Sequence, residues 1–205
     1  MNEVIASTRH WIRNRRRASI AVAAVVLALF ALTVWVATGS YPVMIVNGTF
    51  IPSSRFEKNY ASAAILHANQ LKINAGDAAA VEGLQRVTTA DLGAGVLDTL
   101  VAATLVEHAA KQVAGRELAG LVSSKLSGYA TDAQIEQGVE TLYGMKYADF
   151  QKEVLVPAAE RDILAGRLYM EGKDYDEWLA STRRSAKVYI LSSRFGWDGE
   201  KVVAN

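Results

Sequence analysis

The residues whose types and spacing could carry chemistry in this 205-residue chain are three histidines, a glycine pair, an acidic cluster and a serine pair. His10 precedes a long apolar run, and His67 and His108 fall on separate expected helices. No H-x-x-x-H or H-E-x-x-H spacing puts two imidazoles on one helical face for zinc. His108 stands one turn beyond Thr104 and three residues past Leu105, at the edge of an apolar stripe. That is the place of a half-buried structural histidine, not of a general base, and Glu107 beside it points to another face. Gly93-Ala94-Gly95 lacks the third glycine and the preceding strand of a phosphate-cradling turn, and reads as an irregularity in a helix. Asp174, Asp176 and Glu177 suggest calcium, but Trp178 and Leu179 occupy the fifth and sixth loop positions, where an EF-hand requires a ligand and a glycine. Helix capping is the better reading. Ser123 and Ser124 have no lysine or histidine at an interpretable spacing. There is no cysteine, so disulfides and thiolate metal sites are excluded. The expectation is a chain with no catalytic, cofactor-binding or metal-ligating residues and no cofactor.

Recognition of non-native polypeptide needs different side chains: adaptable aromatics and methionine on a concave apolar surface. Tyr143, Met145, Tyr147, Phe150, Tyr169, Met170 and Trp178 are the candidates for such contacts. The same residues at helical spacing would equally serve as ordinary core.

The elements that must position them are mostly helices. Val43–Val46, Asn47-Gly48 and Thr49–Ile51 predict a β-hairpin, since both central turn residues accept positive φ. Asn47-Gly48-Thr49 is also a glycosylation sequon, but the turn is the favoured reading. Ser54 and Glu57 predict a capping box opening a helix to about Lys72. A loop is expected over Asn74–Ala80. Thr88 and Thr89 offer caps for a second long helix with Leu97, Leu100, Val101, Thr104 and Leu105 on one face. It is expected to continue through Leu118, Leu121, Val122 and Leu126, with Gly128 as its C-terminal cap. Thr131–Gln134 predicts another capping box and a short helix with Ile135, Val139 and Leu142 on one face, closed by Tyr143-Gly144. Spacings of three and four from Tyr147 to Leu168 predict a helix bent at Pro157, with Arg161 snorkelling outward or meeting a carboxylate. A last helix begins at Asp174. Lys187–Leu191 reads as a strand that pairs with the first hairpin, and Asp198-Gly199 as the turn of a terminal hairpin.

Ahead of all this lies a charge-free run of 21 residues, Ala18 to Thr38, behind Arg13, Arg15, Arg16 and Arg17. As a helix it spans roughly 32 Å, enough for a bilayer core of about 30 Å. It is longer than the core of a signal peptide, and Val36-Ala37-Thr38-Gly39 is a poor cleavage site. The positive-inside rule gives a basic cytoplasmic segment 1–17, a transmembrane helix 18–38 and an extracytoplasmic domain 39–205. Five of the 22 basic and one of the 21 acidic residues precede Ala18, leaving 17 and 20 after it. The exported part thus carries no basic excess for nucleic acid.

Five motifs in order resemble the opening module of SurA/PpiD-type periplasmic foldases. They are Val43–Ile51 with Phe56, Val96-Leu97-Asp98-Thr99-Leu100-Val101, Leu126–Ile135, Tyr143-Gly144-Met145 with Phe150, and Val156-Pro157. The resemblance spans roughly Val43 to Leu168. It implies a mainly α fold: an N-terminal transmembrane helix, then a SurA-N-like helical domain with a small antiparallel sheet made by its first and last strands. Catalytic members carry a parvulin prolyl isomerase domain of about a hundred residues. Here only about 37 residues follow Leu168, they contain no histidine, and Ser193–Gly199 only faintly echoes that domain's glycine-tryptophan segment. The resemblance therefore implies the chaperone module alone. The expected role is a single-pass protein of a bacterial cytoplasmic membrane that binds unfolded or nascent exported polypeptides without ATP, its lipid contact made through Ala18 to Thr38. The alternative is a structural or adaptor subunit of a secretion or envelope complex, and a residual isomerase is a third reading.

Overall fold

The structure is a computed structural model that describes residues 41–129 and 133–205, with Thr33 and Gly39 besides. The chain divides into two compact units, Met1–Tyr41 and Pro42–Asn205. In the first, Thr33 is helical and Gly39 turns with φ 60°. The remainder of the expected transmembrane helix, the basic segment 1–17, His10 and the Thr131-Asp132 cap lie outside the described residues.

The second unit is mainly helical with two small antiparallel sheets. Strand β1 (Pro42–Val46) turns through Asn47 (φ 48°) and Gly48 (φ 86°) into β2 (Thr49–Pro52), as the Asn-Gly pair requires. Strand β3 (Val188–Ile190) pairs with the other edge of β1, giving the order β2-β1-β3. Asn47 fixes that closure: its amide donates to Lys187 O at 2.9 Å, and its Oδ1 accepts from Lys187 N at 2.8 Å. The expected pairing of first and last strands is therefore met. Strands β4 (Phe195–Trp197) and β5 (Val202–Ala204) form the terminal hairpin, its turn held by Asp198 Oδ1 accepting from the amides of Glu200 and Lys201.

Helix α1 (Ser53–Ile73) follows β2 without a spacer. Pro52 stands at its N-cap and no side chain caps it, so the expected Ser54–Glu57 box is not formed. The chain passes from extended to helical at Ser53, which places Ser54 already inside the first turn. Part of the expected loop is instead helix α2 (Ala78–Gln85), because Asp77 caps three alanines by accepting from the amides of Ala79 and Ala80. His67 Nε2 donates to Leu84 O at 2.9 Å and ties α2 back to α1.

Helix α3 (Thr89–Ala114) is the spine, about 39 Å long. Its expected cap at Thr88 is present as a reciprocal box with Asp91. The Thr88 hydroxyl and amide hold the Asp91 carboxyl below the usual range. The helix does not run on unbroken: Gly115 takes φ 52°, a 3-10 turn covers Gly115–Glu117, and α4 (Leu118–Leu126) restarts. Gly128 is not left-handed, contrary to expectation; Ser127 caps α4 with helical dihedrals. From Thr89 to Leu126 the chain is apolar and long enough to cross a membrane, but half of its most apolar window is buried within this unit. It is the helix around which the core forms.

Two core clusters lie along α3. Leu97, Leu100, Val101 and Leu105 pack with Met44, Val46 and Ile51 of the sheet and Val202 of the last hairpin. Val106, Ala110 and Ala114 pack with Leu118 and Val122 of α4 and with Ile163, Leu164 and Leu168. Those last three belong to the helix Val156–Met170. Helix α5 (Ala133–Tyr143) buries Val139, whereas Ile135 and Leu142 are exposed, so the expected three-residue face is reduced to one. Gly144 (φ 64°) closes it as foreseen. The bend expected at Pro157 takes the form of a π-helical stretch, Gln151–Leu155, between α6 (Tyr147–Phe150) and α7 (Val156–Met170). Proline cannot donate to a carbonyl one turn back, and the widened turn absorbs that loss. Arg161 points outward, paired with Asp162 at 3.2 Å. Helix α8 (Tyr175–Ser185) opens at Asp174, whose carboxylate accepts from the amides of Asp176 and Glu177. The acidic cluster is thus a cap.

Asp98 on α3 receives both Nη atoms of Arg183 from α8 at 3.0 Å and the amide of Val202 from β5 at 3.1 Å. Arg183 also donates to Glu200 O. Replacing Asp98→Ala strands that arginine and that amide and is expected to cost about 2–3 kcal/mol. Urea unfolding reads the loss, and amide exchange should accelerate at Val202–Ala204 before it does in α3.

Candidate functional site

A groove of about 480 Å³ lies between α1, α3 and the π-helical segment. On its α3 side a stripe of small residues one turn apart, Gly95, Thr99 and Ala103, is flanked by Leu92, Val96 and the edge of buried Leu100. Thr99 Oγ1 donates to Gly95 O at 2.9 Å, so its hydroxyl is spent on the helix. Ala63 and Leu66 of α1 form one wall, and Tyr143, Met145, Val154 and Pro157 the other. The lining is mostly apolar. Glu153 joins the two walls: it accepts from Arg55 Nε at 2.7 Å and, more weakly, from Asn59 Nδ2 at 3.4 Å. Its side chain is only 3% exposed, so the pair works with little screening from water. Lys58 and Asp149 add an exposed bridge across the same walls at 2.7 Å and hold the Asp149 carboxyl low.

A larger and more polar cleft, about 960 Å³, opens on the opposite side of the same segment. Leu118, Val122 and Leu126 of α4 face Tyr147, Gln151 and Val156 across it. Glu160 also lines this cleft, and it is a buried residue. Burial, then the nearby Glu107 carboxylate, push its carboxyl above the ordinary 4.5, against the pull of Lys111 and Arg55.

The structure brings four of the seven sequence candidates together. Tyr143 and Phe150 rings meet at 4.9 Å and Tyr147 joins Phe150 at 6.4 Å, an aromatic cluster reaching from the groove to the cleft. Met145 is buried at 5% exposure beside them and presents only an edge to the groove. Gly144 allows this sharp approach: a Cβ there would lie 2.1 Å from Ile65 Cδ1. The other three stand apart. Tyr169 and Met170 are 83% and 71% exposed at the end of α7. Trp178 is half-buried against Tyr175, next to a small hollow with His108. His108 hydrogen-bonds Thr49 Oγ1 at 2.9 Å, the structural role expected of it.

The residues that sequence reasoning missed are Gly95, Thr99, Ala103 and the Arg55–Glu153 pair. A small residue at every fourth position, offset from the leucine stripe, was the available signal. The reading of Gly93-Ala94-Gly95 as an irregularity is corrected, because α3 is regular there. Gly93 admits the Phe195 ring, which a Cβ would meet at 2.7 Å, while Gly95 faces open space. Ser193–Gly199, the faint isomerase echo, forms β4 and the start of its turn. Among the described residues no three histidine, aspartate or glutamate side chains converge on a metal-sized site. The chain matches no protein-family model, no curated protein and no solved structure.

Two outcomes follow. Gly95→Ala should raise stability by about 0.5–1 kcal/mol, the ordinary gain for alanine in a helix with room for its methyl, as chemical denaturation would show. Glu160 binds its proton more tightly folded than unfolded, so its stabilising contribution is complete below about pH 4.5 and is lost as pH rises through the elevated folded value. Glu160→Gln is therefore expected to increase Tm at pH 7 and to lose that advantage near pH 4. An equal gain at both pH values contradicts this.

Proposed function

We propose that this chain is a membrane-anchored, ATP-independent holder of non-native polypeptide segments, with the groove on α3 as its client site. The observation that carries this reading is a mostly apolar groove with the small residues Gly95, Thr99 and Ala103 on its α3 side and Leu66, Tyr143 and Met145 on its walls. The small residues leave room along α3 for client side chains of varied size. In this reading Ala18–Thr38 is a single transmembrane helix, the arginine-rich N-terminus is cytoplasmic, and Pro42–Asn205 works outside a bacterial cytoplasmic membrane as a SurA-N-like module. Tethering raises the effective concentration near emerging chains without tighter contacts. No covalent step belongs to this role, and the residues after Leu168 are used to close the domain.

Exposed Tyr169 and Met170 favour a second reading, an adaptor that docks one partner in an envelope or secretion complex. Crosslinking in intact membranes separates the two, since heterogeneous products support the holder and a single stoichiometric product supports the adaptor.

The full chain in detergent or nanodiscs is expected to suppress aggregation of a denatured client at stoichiometric amounts. Filling the groove with Gly95→Leu and Ala103→Leu should weaken binding of an apolar peptide about tenfold, roughly 1.4 kcal/mol, without lowering Tm. Wild-type protein that neither suppresses aggregation nor binds peptide removes the proposal.

A further inference from the structure

The three-stranded sheet is apolar on both faces. Its inner face carries Met44, Val46 and Ile51, all at 0–1% exposure. A one-sided antiparallel sheet ordinarily presents polar residues outward. Here Ile45 is in register with both Phe50 and Tyr189, so the three form one cross-strand row on the outer face. Phe50 is 66% exposed and Tyr189 59%. Leu191, two residues beyond Tyr189 on the same side, is 56% exposed.

Charge is segregated in the same place. Pro42–Pro52 contains no charged residue, and Lys187–Arg194 contains Lys187 and Arg194 with no acid. All 20 acidic residues that follow Ala18 lie elsewhere in the chain. The sheet is thus an apolar, aromatic and locally basic surface on an otherwise acidic unit.

Chain length says what covers it. Three residues separate Thr38 from Pro42, four steps along the chain and a reach of at most about 14 Å at 3.3–3.6 Å per step. The headgroup layer is itself roughly 5–8 Å thick on each side. We infer that the outer face of the β2-β1-β3 sheet lies on the lipid headgroup region of the membrane, with Phe50, Ile45 and Tyr189 inserted at the interface and Lys187 and Arg194 meeting anionic phosphates. Aromatic rings and short apolar rows favour that layer, and each basic residue near an anionic surface adds to the attraction. This inference rests on the anchor reading of Ala18–Thr38.

The absence of cysteine permits single-cysteine labelling without background. Phe50→Cys, Tyr189→Cys, Met170→Cys and Leu29→Cys, each in the full chain, would carry an environment-sensitive fluorophore in vesicles of phosphatidylcholine and phosphatidylglycerol. Nitroxide-bearing lipid should quench the labels at 50 and 189 several-fold more than the label at 170, with emission shifted to the blue. Quenching at 29 but not at 50 or 189 overturns the sheet contact and leaves the anchor standing. No quenching at 29 overturns the anchor and this inference with it. Energy transfer between copies labelled at 50, without lipid quenching, assigns the face to a second copy of the chain and likewise overturns the inference.

Discussion

One carboxylate holds the second unit closed. Asp98, on the central helix, satisfies an arginine 85 positions later and a backbone amide 104 positions later. Closing such long loops is entropically expensive, so the contacts at the far ends must be specific and largely shielded from water. They are: the Arg183 and Asp98 side chains are 17% and 27% exposed, and the fork geometry of the guanidinium uses both carboxylate oxygens. Around this clasp the terminal hairpin lies on α3, and Phe195 fills the space that Gly93 leaves, edge-on to Phe56 of α1. Helix α8 and the last strands are therefore parts of the same core and not appendages to it.

Helix α3 divides its circumference between tasks. Leucine and valine at one set of positions build the core, Asp98 serves the clasp, and Gly95, Thr99 and Ala103 keep a third face low. A helix this apolar would satisfy a length-and-hydropathy test for spanning a bilayer, yet its leucines are accounted for by the sheet, α4 and α7. The groove exists because the third face lacks bulk. Its walls are kept apart and in place by the Arg55–Glu153 bridge and by the aromatic contacts of Tyr143, Phe150 and Tyr147.

What could be read in advance was whatever local stereochemistry decides. Asn47-Gly48 admits few turns, Asp174 and Thr88 are good caps in any context, and the α3 leucine stripe repeats often enough to define a face. The pairing of distant strands β1 and β3 was also accessible, since neither could be left alone inside a helical domain. Misreadings arose where tertiary placement outweighs local preference. Ser54 is a sound cap residue by type, but β2 delivers the chain to the helix two residues too early for it to act. Asp77 nucleates a helix in a stretch whose alanines and glycine looked too weak to hold one. Ile135 and Leu142 obey the period of α5, but the neighbouring elements reach only Val139. The candidate site was half legible: Tyr143, Tyr147 and Phe150 do cluster, whereas Glu153 and Arg55 are 98 residues apart and only folding joins them.

The π-helical stretch Gln151–Leu155 sets the rotational phase of everything after it. It amounts to one residue inserted into a helix, and one residue advances the azimuth by about 100°. With that increment, Ile163, Leu164 and Leu168 point into the core, while Pro157 and Val156 are delivered to opposite hollows. Excising a single residue from this stretch would turn α7 by more than a quarter revolution. Its leucines would then face water, and the wall that separates groove from cleft would be lost in one stroke.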